Sequence, residues 1–318
     1  MNKNITPTIE GGLLVAITVI LGLVTVYVPL LGMIVDFFFA VPSAVLTARQ
    51  GAGKGLSALF VSFVLLSLLI SPLFSLRLCL SVGLCGVALG WGVRKKFNAV
   101  RIFFTTLVVA SAAQVLSIAL LSFVMDVNLI DTQIKMVRES FDESFQFYES
   151  MGVDKARIAE AQTNLDAGFK VLVFLIPTLL MLSALLNTAA VYLTSQWIFP
   201  KLRMKMPKMP PFARWRFPSL FFYTALLGGL SLYWGMTRGW VQIYEIALNV
   251  LLLSMIIGLI QGLAIFSALA DRFKLSKIVR GVLYVLLFLS PFMLQATAIF
   301  GLVDMLFDYR KKISSDGR

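Results

Sequence analysis

Ionisable and amide side chains are expensive inside a membrane, so those that fall within long apolar runs are the first candidates for chemistry. Asp36 lies inside the apolar run that begins near Leu31, and Arg77 stands at the turn between the runs that end at Leu73 and begin at Leu76. If successive runs cross a bilayer alternately, both residues stand near the same outer depth. A carboxylate and a guanidinium there could grip the charged groups of a small polar solute. The same two residues could equally form a structural ion pair, or reach water separately. Gln114 and Asn187 are amides deeper in later runs. Such amides usually hydrogen-bond between helices, for about 1 kcal/mol each, but they can also line a cavity. Asp36, Arg77, Gln114 and Asn187 are therefore the candidate substrate-cavity residues. Glu245, Asn249 and Gln261 recur along a further run, and Gln295 lies in the last one. Asp304 and Asp308 are four apart and share a face if helical, which is suggestive of acid–base work; Arg310 and the tail offer an ordinary capping or snorkelling explanation.

Other chemistry is not indicated. The chain has no histidine, which removes imidazole ligands and imidazole acid–base catalysis. Cys79 and Cys85 are six apart in one apolar run and fall on different faces of a helix, so neither a disulfide nor a metal site is expected. No phosphate-binding Walker loop, H-E-x-x-H or G-x-S-x-G is present. We expect no enzymatic activity, no cofactor and no metal, and any ATP-driven transport would need a separate ATPase subunit. The net charge of +12 does not indicate nucleic acid as a partner, because the basic residues sit in short loops beside apolar runs.

The elements that must position these residues follow from composition. Of 318 residues, 59% are hydrophobic and 14% charged, far from the balance of a soluble domain. Apolar runs of about 20 residues are long enough to cross ~30 Å of hydrocarbon, and lipid admits them only as helices. The expected fold is an all-α polytopic transmembrane bundle of about nine spans: 10–28, 31–48, 55–73, 76–93, 102–125, 168–199, 219–236, 241–270 and 279–303. The first apolar run is too long for a signal-peptide core and is expected to be retained.

The stretch Lys201–Pro218, KLRMKMPKMPPFARWRFP, sets the orientation. It carries six bases and no acid, and Lys and Arg resist translocation, so this loop belongs in the cytoplasm. With a cytoplasmic N-terminus, 17 basic residues fall inside, Lys3 among them, and seven outside. Nine spans would leave Arg310, Lys311 and Lys312 outside; an alternative is eight spans plus a re-entrant segment broken at Pro291. The chain is thus divided into a six-span bundle over 1–200, a basic loop over 201–217 and a three-span segment over 218–318.

Between the fifth and sixth spans lies an insert, 126–166, with nine acids and four bases. Ile130, Ile134, Val137, Phe141, Phe145 and Tyr148 recur at steps of three and four, as on an amphipathic helix. Gly152 breaks it, and Asp154 is placed to cap a second helix. This acidic helical hairpin either lies on its own bundle or serves as a lid or docking face. Small-residue steps occur at Gly12 and Ala16, Gly86 and Gly90, and Gly258 and Gly262, where helices can approach closely.

The stretch EGGLLVAITVILGL from Glu10, followed by Pro29-Leu30-Leu31-Gly32 and Pro42, resembles the YybS-like family of bacterial membrane proteins of unknown function. The resemblance returns at NVLLLSMIIGLIQGLAIF from Asn249 and GLVDMLFDYRKK from Gly301. The first six spans of that family are distantly similar to the substrate-binding S-components of energy-coupling-factor vitamin transporters and to the cell-shape protein MreD. The S-component resemblance implies six helices with cytoplasmic termini and a pocket that opens outward. It also implies that Gly12-x-x-x-Ala16 matches the A-x-x-x-A step with which S-components meet a membrane partner, with Gly in place of the first Ala. Two functional expectations follow: a transport-related protein of the bacterial cytoplasmic membrane that binds a small polar solute, or an MreD-like scaffold of the cell envelope that docks partner proteins.

Overall fold

The computed structural model describes residues 5–309, so Lys3 and the basic residues from Arg310 onward lie outside the described residues. Those residues are helical almost throughout, and no strand occurs among them. By their contacts they divide into two compact units, 5–169 with 179–208, and 170–178 with 209–309.

The first unit is built around α2 (Pro29–Gln50), which packs on α1 (Ile5–Tyr27), α3 (Ala52–Leu69) and α5 (Leu84–Arg94). Residues 39–47 of α2 and 85–90 of α5 are buried without a break. Small residues make this crossing possible. A side chain at Gly86 would strike the Ala40 carbonyl and Ser43, and one at Gly90 would strike the Ala44 carbonyl and Thr47. The Gly86–Gly90 step is therefore intramolecular packing. Between α2 and α3 the chain turns at Gly51, whose φ of 104° only glycine adopts easily.

The expected fourth span is one helical rod, Pro72–Arg94, with an irregular middle. Ser71 caps its start by accepting from the Phe74 N–H, and Pro72 fills the first turn, where a missing N–H is harmless. The short α4 (Pro72–Leu78) then passes into a π-helical turn, Cys79–Gly83, before α5 resumes. α6 (Ala99–Met125) starts from an Asn98 cap and ends at Asp126 in the left-handed conformation.

The insert forms two helices, α7 (Leu129–Ser150) and α8 (Lys155–Phe174). Asn128 caps α7, and Asp154 accepts from the Ala156 N–H at the start of α8. Arg138 pairs with Asp166 at 2.9 Å, and the Phe141 and Phe169 rings meet edge to face at 6.2 Å. No residue of α7 is buried. The ion pair and the ring contact join the two helices of the hairpin, and Val137, Phe141 and Tyr148 of the expected apolar stripe are exposed. At its turn the Glu149 carboxylate, 2.8 Å from Lys155, holds that ammonium above the ordinary lysine range. α8 runs on to Leu175, where the chain breaks once before α9 (Ile176–Ile198). Pro177 lies in the first turn of α9, where it has no helical N–H to lose.

The second unit holds α10 (Leu220–Arg238), α11 (Val241–Arg272), α12 (Lys277–Leu289) and α13 (Pro291–Phe307). Gly301 of α13 meets the backbone of α11 at Gly258 and Gly262, so that small-residue step is also internal packing. The expected ninth span is not straight: α12 and α13 meet at 103° across Ser290. Ser290 caps α13 by accepting from the Met293 N–H, and Pro291 begins the new helix.

Six helices among the described residues are long and apolar enough to cross a membrane: Pro7–Tyr27, Ala52–Leu69, Pro72–Arg94, Ala99–Met125, Ile176–Leu202 and Val241–Arg272. The bent pair makes a seventh if counted as one span. α2 and α10, also expected as spans, do not belong to this set. In α10, glycine, tyrosine and tryptophan dilute the aliphatic content.

Candidate functional site

In the first unit the polar residues converge on the π-helical turn. A π turn carries one extra residue, so its carbonyls lose the regular i+4 N–H donor and look for donors elsewhere. The Ser81 carbonyl accepts from Asn187 Nδ2 of α9 at 3.1 Å and from Cys85 Sγ at 3.0 Å. The Gly83 carbonyl accepts from Ser43 Oγ of α2 at 3.2 Å. Ser81 Oγ in turn donates to the Arg77 carbonyl at 2.6 Å. One turn from Asn187 along α9, Ser183 Oγ accepts from Gln114 Nε2 of α6 at 2.6 Å. Gln114 and Asn187 therefore both act between helices, and Ser183 and Asn187 share one face of α9 by their spacing of four.

Asp36 is different. It is half-buried in α2, and its Oδ1 is shut away from solvent with no hydrogen-bond partner. The Arg77 guanidinium is close enough for its charge to act on Asp36, yet no ion pair joins them among the described residues. Arg77 itself is exposed. Of the four expected cavity residues, Gln114 of α6 and Asn187 of α9 are each bonded between helices, while Asp36 of α2 and Arg77 of α4 interact by charge without an ion pair. Buried hydroxyls of Ser75, Ser117 and Thr188, one to three residues from Arg77, Gln114 and Asn187, likewise have no hydrogen-bond partner in the protein. Sequence reasoning missed the partners Ser81 and Ser183 and the π turn itself. Serine is common on any apolar helix, and a π turn leaves no periodic mark that is visible in one run of 23 residues.

Gly12 and Ala16 are exposed on α1, and a Cβ at Gly12 would have nothing within 4 Å. A side chain at Gly12 would thus meet nothing among the described residues, in contrast to the glycines of the other two steps. Near it, the Arg49 guanidinium pairs with Glu10 and donates to the Leu202 carbonyl at 3.1 Å.

The second unit has its own polar network. Asn249 donates to the Phe174 carbonyl at 2.6 Å and accepts from Thr178 Oγ1 at 2.6 Å. Gln261, 2% exposed, accepts from the Phe217 N–H at 3.2 Å and donates to Asp304 Oδ2 at 2.8 Å. Asp304 Oδ1 accepts from the Tyr309 N–H at 2.9 Å, and Asp308 pairs with Arg216 at 2.8 Å. Asp304 and Asp308 thus serve to hold the end of α13 against the exit of the basic loop. Glu245 contributes its carbonyl to Asn249.

Comparison with known proteins gives a family and no activity. The model of the family described as "Predicted membrane protein (DUF2232)" matches residues 16–305. The uncharacterized protein YybS of Bacillus subtilis (strain 168) is 23% identical over 318 residues, covering 98% of this chain and 99% of its own length. No solved structure matches. With nearly the whole chain inside the family match, this is an integral membrane protein that belongs to the DUF2232 family of predicted membrane proteins.

Proposed function

We propose that the first unit binds a small polar solute at Asp36 and Arg77, as the recognition step of a transport-related activity. The observation that carries this reading is the Asp36 carboxylate, with one oxygen buried and unpartnered, within electrostatic reach of a guanidinium that it does not engage. An unpartnered buried polar atom costs about 1–3 kcal/mol, more if charged, and a ligand that supplies the missing donor recovers it. Gln114 and Asn187 fix the helices around the site rather than gripping the solute, since both are bonded between helices.

The positive-inside rule places the N-terminus and the 201–217 loop in the cytoplasm of a bacterial cell, and so places Asp36, Arg77 and the acidic hairpin on the outer side. The solute then enters from outside. In this reading α2 and α10 also cross, and 277–307 is a re-entrant pair, giving eight crossings. The Arg216–Asp308 pair supports that count, because it sets the end of α13 beside the cytoplasmic loop.

The test is thermal stabilisation of the purified protein across vitamins, precursors, amino acids and nucleosides, with Asp36→Asn and Arg77→Gln in parallel. A ligand at 100 times its Kd should add about 2.7 kcal/mol. A shift in the wild type that both variants lose is the expected result. Silence across the panel, with both variants folded, would overturn the reading in favour of the scaffold. That second reading is favoured by one observation: the hairpin presents Met136, Val137, Phe141, Phe147 and Tyr148 exposed on a helix that buries nothing.

A further inference from the structure

We infer that the basic end of the first unit is a seat for anionic phospholipid headgroups. Such a seat requires only that the protein lies in a membrane and is independent of a solute site at Asp36 and Arg77. Contacts show which helix ends lie together. Arg49 at the end of α2 pairs with Glu10 of α1 and donates to the carbonyl of Leu202, just past α9. Arg94 at the end of α5 donates to the Arg49 carbonyl at 2.6 Å, and Gln50 donates to the Pro7 carbonyl at 2.9 Å. Among the described residues this end carries ten basic residues and a single acid, Glu10. Arg49 and Arg94 are bonded within the protein; Glu10 is occupied by Arg49, which leaves the other cations of this end without a carboxylate among the described residues of the first unit.

Two aromatic–cation contacts fix the depth. Lys201 Nζ lies 3.1 Å from the centre of the Trp197 ring, and that ring is 59% exposed. Arg101 lies 4.0 Å over Phe97, which packs edge-on against Trp91 at 5.4 Å. Exposed tryptophan on a membrane helix belongs at the boundary between hydrocarbon and headgroups. Cations set directly against such rings stand at the level of lipid phosphates.

The segment beyond Lys201 is held in place rather than loose. Arg203 closes the turn after α9 in the left-handed conformation, φ 57°. The Pro207 carbonyl accepts from Tyr192 Oη at 2.7 Å. Lys205 and Lys208 flank this tethered proline, and both are exposed. A fixed row of cations beside an interfacial tryptophan fits phosphates that are always present at that plane. The hairpin at the other end of α6 has nine acids to four bases and is the wrong sign for the same partner.

The experiment uses the full chain in nanodiscs of phosphatidylcholine with or without phosphatidylglycerol, and reads phosphatidylglycerol retained per protein by native mass spectrometry over a salt series. Wild type should enrich phosphatidylglycerol over phosphatidylcholine, and the enrichment should fall as salt screens the charges. Each basic residue near the surface is worth roughly fivefold, so K201Q/K205Q/K208Q should weaken it on the order of a hundredfold. K201R/K205R/K208R should keep it, as should the hairpin variant K135Q/R157Q. Equal retention of the two lipids by the wild type, or a glutamine variant that matches the wild type, overturns the inference. So does loss in the arginine variant or in the hairpin variant. Should the glutamine variant not fold, the salt series on the wild type decides, because enrichment that ignores salt also overturns it.

Discussion

At the scale of single residues, the small-residue steps differ in what a side chain placed there would meet. Gly86 sits where any Cβ would meet the backbone of α2. Gly86→Val should therefore lower stability by roughly 1–3 kcal/mol, the usual result of overpacking. Gly12→Val should leave the isolated protein within about 0.5 kcal/mol of wild type, because nothing lies near its Cβ. Denaturation of both variants in detergent checks this, and comparable destabilisation by the two would remove the case for Gly12 as an outward contact. The amides make a parallel case. Replacing Gln114 or Asn187 by Leu removes one interhelical bond each, to Ser183 and to the Ser81 carbonyl, and should cost about 1 kcal/mol apiece. Neither substitution should abolish solute stabilisation if Asp36 and Arg77 are the gripping pair. A ligand shift that vanishes in Asn187→Leu while folding is intact would reassign that amide to the site.

At the scale of elements, what was readable in the sequence divides by mechanism. Long apolar runs, proline and glycine boundaries and the amphipathic period of α7 are local signals, and the corresponding helices stand close to the expected ranges. The meeting of Asn187 with the π turn, and the enclosure of Asp36 Oδ1 without a partner, depend on which faces of α2, α5 and α9 turn inward, and apolar residues on every face conceal that choice. The right angle at Ser290 was visible only as Pro291 within an otherwise apolar run, where a kink and a true reversal have the same local sequence. The hairpin yields an element-level prediction. Since α7 buries no residue, replacing 129–165 by a short flexible linker should leave the bundle folded, with thermal stability reduced by no more than about 1 kcal/mol. Retention of solute stabilisation in that deletion would assign the hairpin to partner docking, and its loss would make the hairpin a lid.

At the scale of the whole molecule, the charge of the loops and the bend at Ser290 bear on one topology. A straight ninth span would carry the residues after Tyr309 to the outer face, against the tendency of Arg310, Lys311 and Lys312 to remain inside. The second unit offers another route. Asp308 pairs with Arg216, and Gln261 joins the Phe217 backbone to Asp304, so α13 ends where the basic loop ends. The bend of 103° lets α12 enter and α13 return on the same side. We therefore expect a cysteine placed at Ser315 to share the labelling side of one placed at Lys208, and to oppose one placed at Glu143 in the hairpin. Cys79 and Cys85 are both buried, so background reaction with a membrane-impermeant maleimide should be low. Labelling in intact cells should mark Glu143→Cys alone, and permeabilised cells should add the other two. If Ser315→Cys reacts in intact cells, α12 and α13 together form a true crossing, and the Arg216–Asp308 pair would have to be abandoned as a guide to the side on which the chain ends.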